Sequence, residues 1–545
     1  MELFLLWRRD EPTDAGDVAA KLQRIFAPLF SELPAATIHP SLVVLHLPVR
    51  GWKRPFFERG DDEWAHAIDY PIDWQSSLME LTRELDRDHD AALQRVSPPF
   101  SLLWSRGDAI HAANDALGQA QLFEFDDGKT WALTNRIMAL DALGISLRPR
   151  AEAWAAHATL GWFPGDLTGF ENVRRLHPGT RLRITRDGVQ RDTSDVLRRW
   201  LHPESRSIDE WLEIARVSLL DHLRVAASGW DEAFAGLTGG RDSRAVVASL
   251  RATGVPFHAR VKGRRDSSDV AIACKLARAA NLPLRIEEDA ELPSSDADDW
   301  RRSISLALLW QAGEMDPDKQ KTIFSNGRTL PEGVVNVMGQ HGEIARALRY
   351  RKPLLQYGVD DLPWSDAELE KNFMQHLISR RPCHLRSEWH DAVYDILLSV
   401  YRAADRYDLH GLARLDFFYL YENTRRFNAG SLASQTNLVV TPFLNPRVIE
   451  TVYALPPIDK ATFKLHDHIV AANAPEWTEI EYAPPLEPRA ISNYFDAESV
   501  WRTTGAPLVD AALRNGGFCT EVFDEKLARE DASGSEDEIV MLSML

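Results

Sequence analysis

Hydrophobic positions in the first 195 or so residues fall in short runs whose length suits strands: Glu2 to Trp7, Ser41 to Leu47, Phe100 to Trp104, Gln121 to Phe125, Thr130 to Leu133 and Gly179 to Thr185. Between them, apolar residues recur at helical spacing over Asp17 to Phe30 and Trp74 to Ala91. This pattern predicts an α+β domain with packed sheets. The charged, Pro-containing stretch from Arg198 to Arg206 reads as a linker, and the pattern changes after it. Helical spacing over Ile208 to Ala227, Ser243 to Thr253 and Val270 to Ala280 alternates with strand-like runs at Ala233 to Leu237, Phe257 to Lys262 and Leu284 to Glu287. Such alternation predicts a parallel sheet with helices on both faces, whose ligands lie beyond the carboxyl ends of the strands. From about residue 300 the spacing is mainly helical: Trp300 to Gln311, Ser365 to Ile378, Ser387 to Tyr407, Leu409 to Phe427 and Pro446 to Ala454. The predicted division is 1–197, a linker at 198–207, a second domain at 208–528 and an acidic tail at 529–545 whose composition suits a frayed end.

Composition narrows the function classes. The 545 residues carry a formal charge of −18, which argues against general binding to nucleic acid or a membrane surface. Three cysteines, Cys274, Cys383 and Cys519, have spacings that suit neither a disulfide framework nor a zinc site, so a reducing cytoplasm is the expected compartment. No apolar run reaches the length of a membrane span, and the apolar and charged order at the start of the chain is wrong for a signal peptide.

The stretch Leu237-Thr238-Gly239-Gly240-Arg241-Asp242-Ser243 lies where an apolar run gives way to a helical one. Two glycines in a strand-to-helix turn suit a phosphate cradle: they permit positive φ values that converge backbone N–H groups, and the helix adds its positive end. The loop lacks the lysine of the G-x-x-x-x-G-K-[ST] pattern. It resembles instead the S-G-G-x-D-S pyrophosphate loop of ATP-dependent enzymes that adenylate a carboxyl or carbonyl group. Asp242 stands inside the cradle, where a magnesium ion bridging ATP phosphates needs one or two carboxylates. A second acid is expected from another strand end. The run Val334 to Glu343, with Gly339, resembles the G-x-G-x-D-E element of the same family and offers Glu343 in place of its aspartate. His341, His466 and His468 show no supporting Cys/His pattern and read as ordinary polar residues. Adenine recognition, by the same resemblance, falls to the backbone of Val261 and Gly263, while Ser268 and Asp269 suit a helix N-cap.

Three more pieces, Tyr419 to Arg426, Thr441 to Pro446 and Ala454 to Lys460, resemble the asparagine synthetase signature of a D-R helix, P-F-L-D and L-P-x-x-x-K. The resemblance implies that Arg425 or Arg426 holds phosphate or a carboxylate, that Glu422 orients the attacking amine or accepts its proton, and that Lys460 or Lys464, read as sharing one helical face, neutralises pyrophosphate. Arg489 stands where the family often has a further lysine. In the first domain, Asn114 to Phe123, Ala132 to Asn135, Leu160 to Asp166 and Arg174 to Gly179 resemble class II glutamine amidotransferase domains. The implied fold is an N-terminal Ntn-type αββα sandwich, followed by a parallel-sheet pyrophosphate-loop domain of the adenine nucleotide α-hydrolase-like kind with added helices. The family's nucleophilic cysteine is absent, because Glu2 follows Met1, so no ammonia is expected from glutamine.

The resemblance therefore implies an ATP-dependent, AMP-forming carbon–nitrogen ligase that uses ATP and Mg2+ and acts on a small molecule or peptide carrying a carboxylate and an amine. Lasso-peptide cyclization to a macrolactam is the preferred branch, with a precursor peptide and leader-processing proteins as partners and neither nucleic acid nor membrane. A β-lactam synthetase, an ammonia-dependent asparagine synthetase and an inactive peptide-binding scaffold stand as alternatives.

Overall fold

The computed structural model describes residues 2–9, 13–30, 33–47, 52–288, 302, 305–306, 308–314, 334–357, 365–379, 381–425, 439–483 and 518–524. The N-terminal strands are β1 (Glu2–Arg9), β2 (Ala35–His39), β3 (Leu42–His46), β4 (Phe57–Arg59), β5 (Trp64–Asp69), β6 (Ser101–Arg106), β7 (Ala109–Asn114), β8 (Phe123–Asp126), β9 (Thr130–Thr134), β10 (Val173–Arg175), β11 (Thr180–Ile184) and β12 (Val189–Thr193). They form two six-stranded antiparallel sheets, ordered β10-β8-β9-β1-β3-β2 and β12-β11-β7-β6-β5-β4.

Alternation along β1 shows how the layers are built. Phe4 and Leu6 point between the sheets, where they join Val44, Leu103, Ala112, Leu133 and Leu182. Leu3, Leu5 and Trp7 point the other way, onto Val18, Leu22 and Phe26 of α1 (Ala15–Phe26). The far face of the second sheet is covered by α2 (Leu78–Arg87) and α3 (His89–Leu93) through Leu78, Leu81, Leu85 and Leu93. The order is helix, sheet, sheet, helix, as expected for an Ntn-type αββα sandwich. The single helix expected over Trp74 to Ala91 is two, because Asp88 adopts extended backbone and its carboxylate accepts from Ala91 N–H to start α3.

The stretch read as a linker is half structured. After α4 (Ala151–Leu160), helix α5 (Val196–Leu201) buries Trp200 and Leu201, so only 202–206 is irregular before Ser207 and Glu210 form a capping box on α6 (Ile208–Ser228). The second sheet system is wholly parallel: β13 (Glu232–Gly236), β14 (His258–Lys262), β15 (Leu284–Glu287), β16 (Val334–Val337) and β17 (Val439–Val440), in the order β15-β14-β13-β16-β17. Helices α7 (Arg241–Ala252) and α8 (Ser268–Ala279) make the first crossovers.

Two helical expectations are corrected. The helix expected over Leu409 to Phe427 is an α-helical turn at Leu412–Phe417 that widens into a π-helix at Phe418–Asn423. Lys460 and Lys464 do not share a helical face, because the helix Pro457–Ala461 ends and Phe463, at φ 66°, turns the chain into a new helix at Lys464–Asn473. Arg426, Arg489, residues 300, 301, 303, 304 and 307 of the Trp300 to Gln311 run and the acidic tail lie outside the described residues. No described helix is long and apolar enough to cross a membrane, and Cys274, Cys383 and Cys519 form no disulfide among the described residues.

Candidate functional site

The loop after β13 is held by its own side chains. Ser243 Oγ accepts from Thr238 N–H at 3.2 Å and lies 2.8 Å from Thr238 Oγ1, which in turn accepts from Gly240 N–H at 3.1 Å. Asp269 does not cap α8, a task that falls to Ser267; its Oδ1 accepts instead from Gly239 N–H at 3.0 Å. Neither Gly239 nor Gly240 has a positive φ, contrary to the reading of the cradle, and Gly240 sits at φ −78°. Gly239 is required for closeness, since a Cβ there would stand 2.7 Å from Ala483 Cβ. Leu237 is fully buried in the core and offers only its backbone. The half-buried edge of the loop is the amino end of α7, whose N-cap Gly240 supplies no side-chain cap.

Gly339 and Gly342 bring the turn after β16 onto that helix end. A Cβ on Gly339 would meet Ser243 N at 2.6 Å, and one on Gly342 would meet Asp242 Oδ1 at 2.3 Å. Gly339 is thus a close-approach residue against the α7 backbone. His341 takes φ 71°, and burial pushes its pKa down to about 3 despite the nearby Asp242 charge. The approach gathers the two predicted acids. Arg346 Nη2 lies 3.2 Å from Asp242 Oδ2 and 2.9 Å from Glu343 Oε1, and Tyr419 O–H donates to Glu343 Oε2 at 3.1 Å. His466 Nε2 lies 2.8 Å from Asp242 Oδ1, yet that buried oxygen has no partner in hydrogen-bonding geometry.

Two carboxylates converging on one point, with a buried oxygen left unsatisfied, suit a hard divalent cation that takes the rest of its shell from phosphate and water. Asp242 and Glu343 would hold it. Among the described residues no group of three or more His, Cys, Asp or Glu is placed to hold a metal by itself.

Arg241 points away from the cradle. Its guanidinium lies 4.0 Å from the Phe463 ring and 3.7 Å from the Tyr482 ring, and Nη1 pairs with Asp467 at 2.6 Å. Arg351 covers the far side of Phe463 at 4.2 Å, and buried Arg244 lies 3.9 Å from the Tyr482 ring while donating to the Ile480 and Glu481 carbonyls at 2.7 Å. This alternating column fastens 477–483 over the loop, where Ala483 N–H also donates to Gly239 O at 2.9 Å. Gly263, at φ 146°, has its N–H taken by Glu287 O at 3.0 Å, and Val261 is buried within β14.

The remaining predicted residues separate. Lys464 is 42% exposed at the start of its helix, 3.2 Å from Asp459, and can meet an incoming anion. Lys460 is buried and paired with Asp416, whose Oδ2 also accepts from Tyr350 O–H at 2.8 Å. Glu422 is buried against the N-terminal domain: its Oε1 accepts from Trp162 Nε1–H at 2.9 Å and Gly165 N–H at 3.2 Å. Beside it Arg425 donates to Asp166 at 3.2 Å and to Gly165 O at 2.9 Å. Glu422 is 1% exposed, so its carboxylate is held within the contact between the two domains. Arg346, Tyr350, Asp416 and the loop-directed role of Asp269 were missed. Only Arg346 left a signal, its spacing of three residues from Glu343.

In the N-terminal domain, Glu2 occupies the inner end of β1, with Oε1 2.7 Å from His46 Nδ1 and Oε2 3.2 Å from His66 Nδ1. Burial by itself would raise its pKa, but the hydrogen bonds and charges of His46 and His66 hold it below the usual carboxylate value. Asn135 clamps the same strand, donating to Glu2 O at 2.7 Å and accepting from Phe4 N–H at 3.1 Å.

No known family profile matches the chain, and no curated protein matches it in sequence. Among solved structures, an allosteric regulatory enzyme of purine biosynthesis aligns at 13% identity over 65% of this chain and 77% of its own, with a TM-score of 0.24. The glutamine phosphoribosylpyrophosphate amidotransferase of B. subtilis, complexed with ADP and GMP, aligns at 12% identity over the same shares, also with a TM-score of 0.24.

Proposed function

We propose that the chain is an ATP-dependent ligase that adenylates a substrate carboxylate and passes the acyl group to an amine of the same peptide, closing a macrolactam. One observation carries the reading: Asp242 and Glu343, from turns after neighbouring parallel strands, converge on a single nitrogen beside the amino end of α7. That edge of a parallel sheet is where ligands bind, and a helix amino end favours phosphate. In the proposed reaction a carboxylate oxygen attacks the α-phosphorus of ATP, the bond to the β-phosphate oxygen breaks, and pyrophosphate leaves. The amine nitrogen then attacks the acyl carbon, AMP departs, and the nitrogen loses its proton. Mg2+ held by Asp242 and Glu343 would neutralise phosphate charge. The loop 237–243 and α7 orient the phosphates, and exposed Lys464 meets the departing pyrophosphate. An amine from the substrate itself is supported by Glu2, a carboxylate fixed between two histidines where a glutaminase would need a thiolate.

ATP–pyrophosphate exchange with carboxylate-bearing peptides tests this, and Asp242→Asn should abolish it. A second reading, an inactive peptide-binding scaffold, is favoured by one feature: the Thr238, Gly239 and Gly240 N–H groups are already bonded to side chains. The scaffold reading wins if no peptide supports exchange and the protein binds no ATP in the presence of magnesium.

A further inference from the structure

The two acids meet on a residue that the sequence reading left out. Arg346 follows the 3-10 turn Gly342–Ala345, and its Nη2 serves two carboxylates from different strand ends, Asp242 at 3.2 Å and Glu343 at 2.9 Å. Its side chain is 25% exposed, so the pair is partly withdrawn from water, and its Nε is buried with no hydrogen-bond partner. The other groups facing the acids are His466 and His341 beside Asp242 and the Tyr419 hydroxyl on Glu343. Arg346 is the one permanently charged cation among them.

Two carboxylates held this close repel, so a site without Arg346 would draw in any available cation. With Arg346 in place, a divalent ion must first part the guanidinium from both acids, which leaves a half-buried positive charge without an acceptor. A nucleotide changes that balance, because its phosphates offer pairs of oxygens that the planar guanidinium can grip with two N–H groups. We infer that Arg346 is an internal counter-ion that excludes divalent metal from the Asp242–Glu343 pair until nucleotide phosphates take the guanidinium over, making metal binding conditional on nucleotide. The inference rests on the nucleotide reading above for its second half; the exclusion itself is a property of the three side chains.

Mn2+ binding to the full-length protein, followed by electron paramagnetic resonance of the free ion, separates the two. Without nucleotide, Arg346→Gln and Arg346→Met should each gain a Mn2+ site roughly tenfold or more tighter than any in the unaltered protein. Adding Asp242→Asn should remove it. The inference is overturned if the unaltered protein binds Mn2+ without nucleotide as tightly as the variants, or if the gained site survives Asp242→Asn. Circular dichroism checks the fold of each variant. Should both misfold, the unaltered protein decides: a nucleotide-free Mn2+ site overturns the inference, and Mn2+ uptake only on adding ATP, beyond what the same ATP takes up without protein, supports it. Failure of the unaltered protein to bind Mn2+ with ATP, while the variants bind Mn2+ alone, would sink the nucleotide reading and leave the exclusion standing.

Discussion

The indole N–H of Trp162 donates to the Glu422 carboxylate at 2.9 Å, joining the N-terminal sandwich to the π-helical turn of the C-terminal domain. Glu422 is 1% exposed and Trp162 5% exposed, so the contact is made away from water. Arg425, beside Glu422, carries its charge into the same interior and grips Asp166. Gly118 lets Arg425 approach the N-terminal domain, because a Cβ there would stand 3.3 Å from Arg425 Cδ, besides meeting Pro178 Cγ at 2.9 Å.

Glu422→Ala should therefore act as a stability change rather than a loss of a proton acceptor. It leaves the buried Arg425 charge short of one partner and takes from the Trp162 N–H the carboxylate it donates to. A cost of about 3 kcal/mol is expected. Urea unfolding measures it, and Trp162→Phe, which removes only the neutral donor, should cost about 1 kcal/mol.

The glycines of the site should divide sharply. Gly339→Ala and Gly342→Ala press a methyl into the α7 backbone and into the Asp242 carboxylate, and should lower stability by about 1–3 kcal/mol while abolishing exchange. Gly240→Ala meets only Thr238 Oγ1 at 3.2 Å in a backbone conformation open to alanine, and should leave thermal unfolding within about 1 kcal/mol.

Lys460 and Lys464 should give opposite signatures. Lys460→Ala strands Asp416 in the interior and is expected to cost about 3–5 kcal/mol. Lys464→Ala, at an exposed position, should leave stability unchanged within about 0.5 kcal/mol and lower the rate of pyrophosphate exchange. Parallel denaturation and exchange assays on the two variants check both.

Acid should destabilise the N-terminal domain through histidines that folding keeps neutral. Burial lowers the pKa of His157 to about 3 and of His39 to about 4. Between the ordinary value near 6.5 and these values the unfolded chain binds more protons, so stability rises with pH there and is lost as pH falls. Buried Asp115, raised to about 6, works the other way: the folded state holds its proton longer, so its contribution is lost as pH rises through about 6. His157→Gln should flatten the fall in unfolding temperature between about pH 6 and pH 4.

Much of the fold was legible because alternation and helical spacing are local. The six strands expected in the first domain all form, with ends shifted by a residue or two. Among the strands that escaped, several have weak local signals: β5 and β7 are half or more Ala and His, β12 is polar on an exposed edge, and β17 is two residues long. The stretch around Trp200 misled for the opposite reason, since Arg and Pro at its ends hid a buried helical face.

Sequence by itself determined the elements, the glycine-rich turn, and the two acids that neighbouring strands carry to one edge, because each is encoded in residues a few positions apart. Tertiary structure decided which charges face each other. It placed Arg346 between Asp242 and Glu343, set Arg241 between two aromatic rings, and buried Lys460 on Asp416 and Glu422 on Trp162. A buried charge must take whichever partner the packing supplies, and those partners lie tens to hundreds of residues away along the chain.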